Sequence, residues 1–314
     1  MTGPGWREPT LATLTHEPFS GENWLYERKL DGVRAICSRD GDEPKLWSRN
    51  QKAMNGAYPE IVEALAKHGG DRFVADGEIV AFAGNQTSFG ALQPRIHLTD
   101  PERARKTGIE VFYYLFDLLY FDGHDATSLP LWQRKKLLED AFDFEDPLRL
   151  SRHRDGDGEK FFREACANGW EGLIAKRADA PYQHGRSRDW LKFKCVKDQE
   201  FVIGGFTDPQ GARHGFGALL LGYHDESGLR FAGKVGTGYT EEILRDLTAK
   251  LKKLERKSSP FAEPVHEKGI HWVRPELVAQ IGFSEWTGDG KLRHARFVGL
   301  RNDKAAEDVV REAR

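Results

Sequence analysis

Glu27-Arg28-Lys29-Leu30-Asp31-Gly32-Val33-Arg34 sets a lysine among charges inside an otherwise apolar neighbourhood. The runs on either side, Trp24-Leu25-Tyr26 and Val33-Arg34-Ala35-Ile36, read as strand ends flanking a turn at Asp31-Gly32. Two readings compete. One is an exposed hairpin carrying a charge pair. The other is a nucleophile, since a lysine amine attacks phosphorus or carbonyl carbon once it is deprotonated. The octet alone does not choose between them.

The 314 residues are enough for two cores, because single cores stop growing near ~250–300 residues. Apolar content of 39% and charged content of 31% are those of a globular protein rather than a disordered one. The most apolar run, Ile109 to Phe121, is interrupted by Glu110 and Asp117 and falls short of the ~20 residues of a membrane span. No apolar leader is visible at Met1–Trp6, which makes the cytoplasm the default. Cys37, Cys166 and Cys195 are scattered and odd in number, so they read as free thiols rather than a disulfide or zinc framework. Net charge is −2, but Arg186, Arg188, Lys192, Lys194 and Lys197 crowd one segment and Arg293, Arg296, Arg301 and Lys304 another. Such patches, and not net charge, bind phosphate; each also reads as a solvated face.

From Trp24 to about Lys194, strand-like runs alternate with a few helices, predicting an α+β domain. Expected strands are 32–38, 45–48, 72–82, 111–120, 148–151, 172–177 and 190–194, and expected helices 58–67, 131–141 and 158–168. A second unit begins near Asp198, with strands 201–207, 217–223 and 229–235. A helix capped by Thr240 follows, then strands 277–286 and 292–300 and a last helix over 303–311. Five strands with a helix between the third and fourth is the order of an OB-type barrel. The polar junction Val196–Glu200 suits a hinge.

Polar clusters interrupt these strands: Ser48-Arg49-Asn50, Asp76-Gly77-Glu78, Phe116-Asp117, Glu171 to Lys176, and Lys192-Phe193-Lys194, whose lysines share a face by period-2 alternation. Taken singly, each has a bland reading as turn, core ring or wet strand edge. Together they suit a nucleoside triphosphate with a divalent metal, carboxylates serving the metal and cations the phosphates.

In order the chain reads K-x-D-G-x-R at 29–34, S-R-N at 48–50, D-G-E at 76–78, F-D at 116–117, E-G-L-I-A-K at 171–176, W-L-K-F-K at 190–194 and R-x-x-R-F-V-G-L-R-x-D-K at 293–304. This series resembles the ordered motifs of ATP-dependent DNA ligases, above all the ligase component of bacterial end-joining ligases. The resemblance implies an ATP-grasp-like nucleotidyltransferase (adenylation) domain over 1–197 and an OB-fold β-barrel over 198–314. It implies that Lys29 attacks the α-phosphorus of ATP and carries AMP. Glu27 would face the adenine amino group, with Phe116 stacking on the ring and Ile174 beneath it. Arg34, Arg49 and Glu78 would lie on the ribose side, and Asp31, Glu78 and Glu171 would position Mg²⁺ or Mn²⁺. Lys176, Lys192 and Lys194 would hold the α-phosphate, while Arg301, Asp303 and Lys304 would orient pyrophosphate. Fixed cations would stabilise the transition state and oppose protonation of Lys29.

The implied partner is nicked or broken duplex DNA, gripped by a monomer in the bacterial nucleoid. A Ku-type end-binding protein and separate repair polymerase and nuclease activities enter by family analogy. An mRNA-capping guanylyltransferase shares the lysine octet but takes guanine; an RNA ligase and a non-catalytic OB-fold module are further alternatives. An NAD-dependent ligase is disfavoured by the lack of a four-cysteine zinc site.

Overall fold

The structure, a computed structural model, describes residues 3–15, 17–195, 198–209 and 214–312. Two compact units divide the chain, Met1–Cys195 and Val196–Arg314. Val196 and Lys197, where the expected hinge begins, lie outside the described residues.

Strands of three residues or more in the first unit are β1 (Thr10–Leu14), β2 (Gly21–Lys29), β3 (Val33–Asp40), β4 (Lys45–Ser48), β5 (Arg72–Val80), β6 (Phe112–Phe121), β7 (Leu148–Leu150), β8 (His153–Gly156), β9 (Gly172–Arg177) and β10 (Gly185–Lys194). Helices α1 (Pro59–His68), α2 (Phe89–Ile96), α3 (Pro101–Lys106), α4 (Leu131–Ala141) and α5 (Gly158–Ala167) are interspersed. One sheet has the order β1-β10-β9-β2-β8 and the other β7-β6-β5-β3-β4.

The strands flanking Asp31-Gly32 are therefore no hairpin. β2 pairs with β8 and β9, whereas β3 pairs with β4 and β5, so the chain changes sheet across Leu30–Gly32. Gly32 is demanded by closeness at this crossing: a Cβ there would stand 2.2 Å from the Ile79 carbonyl oxygen.

Helix α4 explains its own placement. Its buried positions are Leu131, Arg134, Lys135 and Leu138, the stripe spacing of an amphipathic helix with two cations in it. Arg134 is fully buried and bidentate to Asp117 on β6, with Nε–Oδ1 2.7 Å and Nη2–Oδ2 2.9 Å. It also donates to the carbonyls of Leu129 and Ala180. All three nitrogens of the fork have partners, which a buried charge requires.

The expectation of free thiols fails at two positions. Cys166 near the end of α5 and Cys195 just after β10 form a disulfide, with Cα atoms 5.3 Å apart. Helix α5 packs on β9, bringing its C-terminal turn to the end of the neighbouring strand. Cys37 remains a buried thiol, and burial raises its pKa.

In the second unit, β11 (Asp198–Thr207) is central. It pairs with β12 (Leu219–Asp225), β14 (Ile270–Val273) and β15 (Val278–Gly282); β13 (Gly228–Val235) extends the β12 edge and β16 (Arg296–Arg301) pairs with β15. Helix α6 (Glu241–Lys253) starts where Thr240 accepts the Ile243 N–H. The last helix expected over 303–311 does not form. Beyond one short turn at Ala306–Asp308 the segment runs extended beside His224, the Val309 carbonyl accepting the His224 N–H with Val309 fully buried.

Candidate active site

Three antiparallel neighbours build the floor of the site. Their register gives the cross-strand rows Lys29–Gly172–Lys194, Glu27–Ile174–Lys192 and Leu25–Lys176–Trp190 on β2, β9 and β10. Residues directly opposite one another share a face, and strands lie ~4.8 Å apart. Segments separated by more than 140 positions thus place Lys29, Glu27, Ile174, Lys176, Lys192 and Lys194 on one surface.

The Lys29 ammonium pairs with Glu171 at the foot of β9. Gly172 sits between Lys29 and Lys194 with φ +152°, and a Cβ there would fall 1.8 Å from the Phe193 carbonyl oxygen. Lys192 and Lys194 are half-buried beyond it.

Glu27 is 2% exposed and sits at the centre of a buried cation cluster. Its Oε1 accepts from Lys135 at 2.7 Å, and its Oε2 from Lys176 at 3.0 Å and from the Ser151 hydroxyl at 2.9 Å. Burial alone raises the Glu27 pKa, but the two ammonium groups override it and hold the carboxyl at about 2. Burial dominates at Lys176 instead, lowering it to about 8 against the pull of Glu27. His153, opposite Glu27 across β8, is likewise lowered, by burial and by Lys135.

Several residues expected in the site have protein partners in the structure. Lys176, expected on a phosphate, has its ammonium buried on Glu27 and 4.1 Å from the ring centres of both Phe116 and Trp190. Phe116, expected to stack on the adenine ring, is 7% exposed, with Arg34 also over its ring at 4.7 Å. The Arg34 guanidinium, expected beside the ribose, is bidentate to the fully buried Asp76 at 2.5 and 2.6 Å, and the Tyr182 hydroxyl donates to the same carboxylate at 2.6 Å. Desolvation disfavours the Arg34 charge, yet Asp76 more than restores it and raises its pKa. Asp31, expected as a metal ligand, uses Oδ2 to accept the Phe89 N–H at the start of α2. Glu78 stands opposite Arg34 and Tyr114 and is half-buried, and Arg49 lies in the turn after β4.

Among the described residues, no three His, Cys, Asp or Glu side chains converge as a metal cluster, so Asp31, Glu78 and Glu171 do not make a site by themselves. Glu171 beside Lys29 still fits Mg²⁺, which binds through one or two carboxylates plus substrate phosphates.

In the second unit, Arg301 is bidentate to the buried Asp303 at 2.9 and 2.7 Å, and Lys304 reaches Glu200 on β11 at 3.1 Å. Asp303 thus aims Arg301. Arg293 and Arg296 are exposed, the former paired with Glu285.

Sequence reasoning missed Lys135, Ser151 and Tyr182, and it named Asp76 without its pairing to Arg34 and Tyr182. The visible signal for Lys135 was its position, beside Arg134, in the stripe of α4 that Leu131 and Leu138 bury.

A lysine sharing a sheet face with Lys192 and Lys194, in a unit followed by a separate barrel, defines a nucleotidyltransferase adenylation domain joined to an OB-fold domain. The family model "ATP dependent DNA ligase domain" matches residues 9–194, and "ATP dependent DNA ligase C terminal region" matches 212–304. The chain belongs to the ATP-dependent DNA ligase family. It is similar to the multifunctional non-homologous end joining protein LigD of Pseudomonas aeruginosa, at 39% identity over 98% of this chain and 37% of the relative. A DNA ligase of Thermococcus fumicolans is 32% identical over 92% of this chain and 54% of its own length. The solved structure of mycobacterial DNA ligase D complexed with ATP and MES aligns with TM-score 0.68 and 36% identity, covering 97% of this chain and 98% of that one. The chain spans about two fifths of the length of the end-joining relatives.

Proposed function

We propose that this chain seals 5′-phosphate/3′-hydroxyl breaks in duplex DNA in three nucleotidyl transfers. The Lys29 amine forms a P–N bond to the α-phosphorus of ATP as the bond to pyrophosphate breaks. The AMP then passes to the DNA 5′-phosphate, releasing the amine. The 3′-hydroxyl finally attacks that phosphorus and AMP leaves.

The observation that carries the proposal is the pair of rows Lys29–Gly172–Lys194 and Glu27–Ile174–Lys192. It brings Lys29, Ile174, Glu27, Lys192 and Lys194 to one sheet surface, which supports reading them as nucleophile, apolar floor, base-facing carboxylate and phosphate cations. Negative charge accumulating on the phosphoryl oxygens is met by ammonium groups already in place. Glu171 positions the Lys29 amine and would hold Mg²⁺ or Mn²⁺ arriving with the phosphates; the metal would neutralise phosphate charge. Lys192 and Lys194 serve the α-phosphate, and Glu78 and Arg49 the sugar side. Arg301, aimed by Asp303, and Lys304 serve pyrophosphate departure. A role in end joining, in the nucleoid and with a Ku-type partner, draws support from the likeness to the LigD proteins.

The test is intact-mass measurement after incubation with magnesium and ATP or GTP, beside nick-sealing assays. Wild type gains one adenylate on Lys29 and seals a 5′-phosphorylated nick, and Lys29→Ala does neither. Adenylate on another residue, or labelling by GTP alone, would overturn the reading.

A further inference from the structure

We infer that Lys135 and Ser151 are positioning residues that make Glu27 a one-site acceptor, selecting a 6-amino purine over a 6-oxo purine. The inference rests on the proposed function and extends it to residues outside the motif series.

An ionised carboxylate offers about four lone-pair sites and no donor. Among the described residues, Glu27 spends one site of Oε1 on Lys135 and both sites of Oε2 on Lys176 and Ser151. One acceptor site remains, on Oε1. Lys135 cannot swing away freely, because it also donates to the Ser151 carbonyl at 3.0 Å and is 5% exposed. Its helix is anchored one residue earlier by the buried Arg134–Asp117 pair. A base edge meeting Oε1 must therefore bring a hydrogen. The amino group at position 6 of adenine does; the carbonyl at position 6 of hypoxanthine or guanine presents a lone pair to a fixed negative charge.

Removing Lys135 alters this chemistry. Glu27 is left buried with Lys176 as its sole ammonium partner, so desolvation favours its protonated form, which can donate to a 6-oxo group. Lys135 then governs base choice without touching the reacting phosphorus.

Self-nucleotidylation of the full chain is measured with ATP and with inosine triphosphate, whose base carries a carbonyl at position 6 and a hydrogen on N1, for wild type, Lys135→Met, Lys135→Arg and Ser151→Ala. Wild type is expected to prefer ATP by ~10⁴-fold in kcat/KM, the discrimination typical of sites built around one obligatory hydrogen bond. Lys135→Met narrows that ratio at least ~10-fold, mainly through a higher KM for ATP, and Lys135→Arg restores it. Equal loss with both nucleotides, or an unchanged ratio in a folded Lys135→Met, overturns the inference. Should that variant fail to fold, Ser151→Ala decides, since an unchanged ratio there also overturns it. Wild type labelled by neither nucleotide sinks the functional reading, and this inference with it.

Discussion

Lys29 and Glu171 are ion-paired while both are largely shielded, their side chains 19% and 10% exposed. The proposed nucleophile is thus pinned by the residue immediately before the neighbouring strand β9. Glu171→Gln keeps the shape and removes the charge. Adenylylation should fall at least ~10²-fold with the unfolding midpoint little changed, since one preorganised electrostatic contact contributes on that scale. Single-turnover labelling with ATP measures it.

Gly172→Ala tests the sheet register rather than the chemistry. The backbone at φ +152° and the carbonyl of Phe193 leave no room for a methyl group. Strain and overpacking together should cost on the order of 3 kcal/mol, read as a lower urea midpoint of the first unit. A variant as stable as wild type would contradict the described pairing of β9 with β10.

The Glu27 cluster predicts the shape of stability against pH. Its folded pKa of about 2 lies below the ordinary 4.5, so its stabilisation is complete above that value and disappears as pH falls toward 2. Lys176 is lowered from 10.5 to about 8, so the unfolded chain binds more protons there and stability rises with pH across that window. Urea midpoints across both ranges should show these slopes, and Glu27→Gln should flatten the acidic one.

Reducing the Cys166–Cys195 bond frees a segment of 29 residues. Chain entropy assigns such a closure roughly 3.5 kcal/mol. Reductant should therefore lower the Tm of oxidised protein to that of a Cys166→Ser/Cys195→Ser variant. Non-reducing mass spectrometry should find oxidised protein lighter by two hydrogens.

Arg301→Ala and Asp303→Asn should impair adenylylation together, because Asp303 aims Arg301. Sealing by pre-adenylylated enzyme should suffer far less. Equal loss in both steps would contradict a role of Arg301 confined to the first transfer.

Local patterns were legible in the sequence where one segment decides its own shape. β-Branched and aromatic content located Gly172–Arg177, alternation put the lysines of Trp190–Lys194 on one face, the Thr240 cap located α6, and Pro59 marked the start of α1. What stayed hidden depends on partners far along the chain. Asp31 looks like a ligand until α2, a short helix containing Gly90 and Pro94, presents the Phe89 N–H to it. Lys176 looks like a phosphate cation until α4 and β2 enclose it with Glu27. The apolar residues of 303–311 suit a helix, but the extended edge beside His224 and Gln199 claims their backbone. Cys166 and Cys195 look unrelated until α5 lies down on β9.

Strand β1 runs parallel to β10 at the rim of its sheet, and Thr10 and Thr13 fasten it by side-chain bonds to the Gln183 and Ser187 carbonyls. Any version of the protein trimmed from the amino end past Leu14 would bare the outer backbone of the strand holding two of the proposed phosphate grips. Such an uncovered border is a template for another copy, so shortened preparations are prone to self-association before any loss of catalysis can be judged.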